Sequence, residues 1–278
     1  MTHTNAQIYY QGEWHPASTP LLSGQNRAFK FGDALFESMV YFQGNCPLET
    51  YHWARLHKSL SVLAMDPPKK LTPSLLRQIT QSFSKKTPSF RLRLQVFRLE
   101  GKKYTPTSST TDFLLEVEPI ENDRFGFEKE GLSLGVFSDW TLPIDPLSGL
   151  KSSNSLYYIM AKRKALLSNW DEVLLLNNKT RIADAASSTL WVDQGDRIVC
   201  PSIEEGALYS VSAAFLLDQN PSSLKIEKGQ IHLDDLHKAQ SLYLTNAVQG
   251  PQWVSKFDGK TFSPGKIKEL IALFNKYN

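Results

Sequence analysis

The spacing of apolar and polar residues changes period several times along the chain, and each change marks an element. Ile8–Trp14 carries the strand formers Tyr9, Tyr10 and Trp14 around Gln11-Gly12 and predicts a hairpin. Ala34–Phe42 is a second extended stretch, closed by Gln43-Gly44-Asn45. From Tyr51 to Met65 the period becomes helical, with Leu56, Leu60 and Leu63 recurring, and Pro67-Pro68 stops the helix. Thr72-Pro73 opens another helix: Thr72 caps it, and Pro73 sits in the first turn, where a missing N–H costs nothing. Phe90–Arg98 alternates with period two, and Phe113–Glu118 is its expected partner across the loop Gly101–Thr111.

These stretches predict an α+β domain over residues 1–118, a polar linker at 119–131 and a larger domain over 132–278. The second domain opens with a strand at Leu132–Phe137, a Pro/Gly-rich loop at Trp140–Gly149 and a helix from about Ser153 to Ser168. Short strands in meander order follow at Glu172–Leu176, Ile182–Val192 and Arg197–Pro201. A helix near Ser210–Leu217, a strand around Ser241–Thr245, a hairpin at Asp258-Gly259 and a terminal helix over Lys266–Tyr277 complete a two-domain α/β (α+β) fold.

Composition narrows the function classes. With 278 residues, 41% of them hydrophobic, the chain can bury a substantial core, and a net charge of +3 spread without runs gives no footprint for nucleic acid. Cys46 and Cys200 stand far apart without a C-x-x-C pair, which fits a reducing cytoplasm and neither a disulfide framework nor a zinc cluster. The first residues lack a basic region followed by an apolar core, and no stretch has the ~18 consecutive apolar residues of a membrane span, so neither secretion nor membrane insertion is expected. No histidine–carboxylate cluster, G-x-S-x-G elbow, Walker loop or G-x-G-x-x-G appears, so no metal site is expected and the usual hydrolase and nucleotide signatures are missing.

A few positions stand out chemically. Arg98 shares strand parity with Leu92, Leu94 and Val96, whereas Arg91 and Arg93 fall on the other face. An inward guanidinium requires a carboxylate or phosphate, either on a ligand or within a structural ion pair. Lys151 lies between an apolar loop and a helix, where a lysine can be desolvated and made nucleophilic, although most lysines are solvated surface residues. Arg55 reads first as a helix-surface residue. Gly206–Ser212 precedes a helix and offers backbone N–H groups and the Ser210 and Ser212 hydroxyls to an anion, as many such loops do.

Taken in order, these positions resemble the fold-type IV pyridoxal-phosphate enzymes: branched-chain and D-amino-acid aminotransferases and aminodeoxychorismate lyase. Asn26–Ser38 is similar to the family's D-R-x-x-x-x-G-D-G-x-F-E-T segment, and His52-Trp53-Ala54-Arg55-Leu56 to its H-x-x-R-L helix. Lys151-Ser152-Ser153-Asn154-Ser155-Leu156 matches K-x-x-N-x-L around the Schiff-base lysine. Asp171–Leu176, Ala183–Trp191 and Thr245-Asn246-Ala247 supply three further matches.

The resemblance implies a D-amino-acid aminotransferase-like fold, pyridoxal 5'-phosphate as cofactor held between the domains, a homodimer, and Lys151 as the catalytic lysine on the larger domain. It gives Arg55, Val211 and Ser212 the cofactor phosphate, and Asp184 the ring nitrogen in place of the usual glutamate. Ser188, Asn246 and Ala247 join the cofactor set through their matched segments, and Ser38 matches a hydroxyl near the lysine. Phe31, Arg98 and Tyr104 are the expected substrate contacts, Arg98 as holder of a carboxylate. Asp184 is about 1.5 Å shorter in reach than glutamate. Thr189, Ser210 and Ala213 also depart from frequent asparagine, glycine and arginine, which keeps a cofactor-poor, non-catalytic homologue open. Lys151-x-x-Asn154 and Thr245-Asn246-Ala247 resemble the lyases more than the branched-chain enzymes. The favoured expectation is therefore aminodeoxychorismate lyase, with amino transfer between an amino acid and a 2-oxo acid as the alternative.

Overall fold

The extended stretches between residues 7 and 119 build a five-stranded antiparallel sheet. In a computed structural model that describes residues 6–276 apart from 86 and 100, the first unit comprises β1 (Gln7–Tyr10), β2 (Glu13–Pro16), α1 (Arg27–Phe31), β3 (Ala34–Phe42), α2 (Glu49–Val62), α3 (Pro73–Ser84), β4 (Ser89–Arg98) and β5 (Thr111–Pro119). The strand order is β2-β1-β5-β4-β3, and β3 pairs with β4 from Ala34–Phe97 to Phe42–Ser89. Leu35, Met39, Leu92, Leu94, Val96, Leu115 and Val117 share one face and are buried. Helix α3, capped by Thr72 Oγ1 accepting from Leu75 N, covers this face through Phe83 on Phe90. The opposite face carries Phe36, Ser38, Arg91, Arg93, Gln95 and Glu116 and is only half-buried. Helix α1 ends at Gly32, whose φ of 66° is left-handed, and a Cβ there would collide with the Asn154 side chain.

That contact reflects the main departure from the expected domain map. The first unit contains the described residues up to Arg124 and also Lys151–Asn154; the second contains Phe125–Leu150 and the described residues from Ser155 onward. Phe36 N donates to Lys151 O and Ser153 N to Ala34 O, both at 2.9 Å, so the lysine segment runs as an extra extended piece along β3. Its backbone is committed to that pairing, and α4 therefore starts at Leu156 instead of Ser153. The expected linker 119–131 is likewise not a free connection: Phe125 is buried against Phe274 and hydrogen-bonds Asn275 in the second unit.

In the second unit the elements are β6 (Leu132–Leu142), α4 (Leu156–Ser168), β7 (Glu172–Asn177), β8 (Ile182–Ala185), β9 (Thr189–Asp193), β10 (Ile198–Pro201), α5 (Val211–Gln219), β11 (Ile226–Gly229), α6 (Leu233–Lys238), β12 (Ser241–Asn246), β13 (Gly250–Phe257), β14 (Lys260–Thr261) and α7 (Ile267–Asn275). They form a mixed sheet in the order β11-β10-β9-β12-β13-β6-β7-β8, with β14 on β13. Leu174, Leu190, Val192, Leu242, Leu244 and Val254 pack on one side of it; Ala161 and Ala165 of α4 pack with Phe137, Val173 and Leu175 in a second cluster. The strand expected at Ile182–Val192 is two strands, because Ala185 N turns back onto Ser188 O at 3.1 Å. The terminal helix stops at Asn275, and Tyr277 lies outside the described residues.

Candidate active site

The candidate residues fall into two groups, one in each unit. In the first, Lys151 is half-buried beside Phe36, with Nζ 4.6 Å from the centre of the ring. The same ring carries the Arg93 guanidinium at 3.9 Å, and Ser38 is paired with Arg93 across the strands. Burial pulls the Arg93 pKa down, and Glu116 on the next strand opposes it. Gln95 Nε2 donates to Ser153 Oγ at 2.7 Å, tying the lysine segment to β4. An amine, a hydroxyl and a half-buried guanidinium thus share one face of the sheet.

Behind this face, on the buried side, Glu37 holds two partners from α2. Its carboxylate accepts from Arg55 Nε at 2.8 Å and from Arg55 Nη2, and its Oε2 lies 2.6 Å from His52 Nδ1. Burial alone would raise the Glu37 pKa, but Arg55 and the hydrogen bonds from Arg55 and His52 outweigh it and hold it at about 2. Burial foremost lowers the His52 pKa. The neutral ring then donates Nδ1–H to Glu37 and leaves Nε2, which has no hydrogen-bond partner, as a lone pair and not as a stranded N–H. Arg55 is therefore no surface residue. Its Nε–Nη2 edge faces Glu37.

Among the substrate candidates, Phe31 and Tyr104 meet with ring centroids 5.5 Å apart, and the Arg27 guanidinium lies 5.2 Å over Phe31. Arg98 does not join them. Its Nε donates to Asp33 Oδ2, its Nη1 to the carbonyls of Ala64 and Ser108, and its Nη2 to Leu63 O, while Arg27 Nε takes the same Asp33 oxygen at 2.7 Å. All three nitrogens serve the chain's own acceptors, which corrects the expectation that Arg98 holds a substrate carboxylate; its inward parity reflects a structural ion pair.

In the second unit, Asp184 on β8 is buried and accepts from Ala185 N at 3.0 Å, from Leu208 N at 3.4 Å and from the Tyr158 hydroxyl. Leu208 belongs to the turn that leads into α5, where Val211 and Ser212 are buried in the first helical turn and Ser210 Oγ caps Ala213 N at 3.2 Å. Asn246 is engaged locally: its Oδ1 accepts from Val248 N and Gln249 N, fixing the turn that contains Ala247, and its Nδ2 donates to Ser188 Oγ at 3.1 Å. Asp184, Val211 and Ser212 are thus gathered around one turn, and Ser188, Asn246 and Ala247 around another.

Comparison with known proteins adds the decisive observation. The profile of amino-transferase class IV matches residues 34–257, a span that contains every candidate residue except Phe31. The chain belongs to that family.

Class IV relatives of different activity lie at similar distances. The aminodeoxychorismate lyase of Bacillus subtilis is 24% identical over 247 residues, 87% of this chain and 83% of the relative. The probable branched-chain-amino-acid aminotransferase of Aquifex aeolicus is 22% identical, covering 97% of this chain and 90% of the relative. Among solved structures, the PLP-bound form of a hypothetical aminotransferase from Mycobacterium tuberculosis superposes with a TM-score of 0.82 at 19% identity, covering 98% of each chain. The fold is that of a fold-type IV transaminase.

Among residues of this class IV chain that sequence reasoning passed over, Glu37 had a readable signal. It is a carboxylate at the same strand parity as Leu35 and Met39, the argument that drew attention to Arg98. Arg93 was placed correctly on the non-core face, but that face also carries Phe36 and Ser38. Tyr158 left no signal, since its contact with Asp184 is long-range. Among the described residues no group of three His, Cys, Asp or Glu side chains could hold a metal ion, and no helix is long and apolar enough to cross a membrane.

Proposed function

We propose that this class IV enzyme uses pyridoxal 5'-phosphate, with Lys151 as its reactive amine, and acts as an aminodeoxychorismate lyase that forms 4-aminobenzoate and pyruvate. The observation that carries the cofactor reading is the placement of Lys151: its backbone is registered on β3 beside Phe36, next to the buried Glu37–Arg55 pair. The donor set fits the cofactor. In the first unit Lys151 supplies an amine and Arg55 a guanidinium; in the second, the start of α5 supplies the backbone N–H groups of Val211 and Ser212 and the Ser210 hydroxyl, suited to a phosphate. Asp184 supplies a buried carboxylate for a protonated ring nitrogen.

Bound pyridoxal phosphate supplies an electron sink for a substrate carbanion. Lys151 Nζ then takes and returns the substrate proton, assisted by the Ser38 hydroxyl on the same face. Asp184 keeps a proton on the ring nitrogen, with Leu208 N and Tyr158 fixing its carboxylate. Arg93, flanked by Phe36 and Ser38, is placed to hold a substrate carboxylate in the role first given to Arg98. In the lyase reaction Lys151 would take the proton from the ring carbon that bears the amino group, the bond from the neighbouring ring carbon to the enolpyruvyl oxygen would break as the ring becomes aromatic, and the released enolpyruvate would take up a proton at its methylene carbon to give pyruvate.

The lyase branch is supported by the Lys151-x-x-Asn154 spacing, by the Thr245-Asn246-Ala247 segment and by likeness to the Bacillus subtilis lyase. Supplying aminodeoxychorismate without any keto acid tests it: pyruvate release at catalytic rates supports the lyase. No release, together with 2-oxoglutarate-dependent transfer from a panel of amino acids, replaces it with an aminotransferase. A homodimer belongs to the same reading and is supported by Leu156, Ile159, Leu166 and Leu167, all exposed on α4.

Two variants follow from these roles. Arg55→Lys keeps the charge near Glu37 but loses the fork, and pyridoxal phosphate affinity is expected to fall by about 1.5–3 kcal/mol, read by equilibrium titration. Asp184→Asn removes the charge that keeps the ring nitrogen protonated, so turnover should drop more than cofactor retention. Equal losses in the two measurements would make Asp184 a structural residue.

A further inference from the structure

Four side chains that sequence reasoning treated separately form one continuous line in the second unit. Trp191 Nε1 donates to Thr245 Oγ1 at 2.8 Å, Thr245 Oγ1 lies 2.9 Å from Ser212 Oγ, and Ser212 Oγ lies 2.9 Å from Ser210 Oγ. Trp191, Ser212 and Thr245 are at most 1% exposed, so water does not complete their hydrogen bonding. We propose that Trp191 and Thr245 are positioning residues that set the direction of this line, so that it ends in a Ser210 O–H donated to the phosphate of the cofactor. The inference rests on the cofactor reading above and extends it to residues outside the expected phosphate set.

The direction follows from valence. An indole N–H only donates, so Thr245 Oγ1 accepts from Trp191. The single proton of Thr245 must then go to Ser212, because leaving a buried hydroxyl proton unbonded is costly. Ser212 in turn gives its proton to Ser210 Oγ, which also accepts from Ala213 N at 3.2 Å. Both lone pairs of Ser210 are now occupied, and what it has left is a proton. Such a hydroxyl offers a bond to an acceptor such as a phosphate oxygen and nothing to a donor. Ser210, where the family frequently has glycine, thereby becomes an added phosphate donor.

The phosphate group itself provides the test. Affinities of the unaltered protein and its variants for pyridoxal 5'-phosphate and for pyridoxal, which lacks the phosphate, are compared by absorbance titration, with thermal unfolding of the cofactor-free protein as a control. Trp191→Phe keeps an aromatic ring but removes the N–H that fixes the direction; Thr245→Val cuts the line; Thr245→Ser restores it. Trp191→Phe and Thr245→Val are each expected to reduce the preference for the phosphorylated form by about tenfold, with pyridoxal affinity unchanged and Thr245→Ser near the unaltered protein. Ser210→Ala, at a half-buried position, should show the same loss and provides the comparison if Thr245→Val does not fold. An unchanged preference in Trp191→Phe and Ser210→Ala overturns the inference, as does an equal loss for both ligands. If the unaltered protein binds neither ligand, the cofactor reading falls and takes this inference with it.

Discussion

Lys151→Ala is expected to abolish the visible absorbance that pyridoxal phosphate acquires on the protein and to lower turnover by ~10⁴-fold or more, because in the proposed role Lys151 is both the covalent anchor and the proton carrier. The fold should survive. The contact between this segment and β3 is made by the Lys151 carbonyl and the Ser153 N–H, which alanine leaves in place. The side chain is half-buried and lies over the Phe36 ring, so stability is expected to change by no more than about 1 kcal/mol. Circular dichroism and thermal unfolding of the variant separate loss of chemistry from loss of structure. A variant that keeps the absorbance would remove Lys151 from the reaction.

The second large effect lies behind the site. Glu37→Ala leaves the Arg55 guanidinium and the His52 imidazole buried without their carboxylate, and is expected to destabilise the protein by about 3–5 kcal/mol in urea unfolding at neutral pH. The same cluster predicts an acid limit. Glu37 has a folded pKa near 2 against an ordinary 4.5, so it contributes about 3 kcal/mol above pH 4.5, lost as pH falls toward 2. His52 acts in the same direction: its pKa is depressed in the folded state, so its contribution also fades on acidification. Urea midpoints should therefore fall on acidification through these ranges, and Glu37→Gln should remove the lower step. A Glu37→Gln profile parallel to that of the unaltered protein would show that the cluster does not govern acid stability.

Much of the fold was legible in the sequence because its signals are local. Alternation marked β4, the extended run closed by Gln43-Gly44-Asn45 marked β3, Thr72-Pro73 marked the start of α3, and Gln11-Gly12, both at positive φ, marked the first hairpin. What was missed depends on pairing between distant segments. Nothing in the Lys151–Asn154 run shows that its backbone lies along β3, and the helix pattern after it extends smoothly backward until that pairing ends it. Phe125 reads as part of a polar linker until its contact with Phe274, about 150 residues later, is seen.

The same division holds for the site. The family segments singled out Lys151, Arg55, Asp184 and the α5 turn as candidates. Parity alone could not decide what Arg98 meets, because Asp33 and the carbonyls of Leu63, Ala64 and Ser108 come from other parts of the chain. Conversely, Arg93 looked unremarkable beside Glu116 until Phe36 and Lys151 were placed on its face.

In the proposed function Lys151 is the amine that binds the cofactor. Borohydride trapping of pyridoxal phosphate on the unaltered protein, followed by peptide mass analysis, tests it most directly. A pyridoxyl label is expected, confined to the peptide that contains Lys151 and absent from Lys151→Ala. A label on another lysine, or no label when the cofactor is in excess, would contradict it.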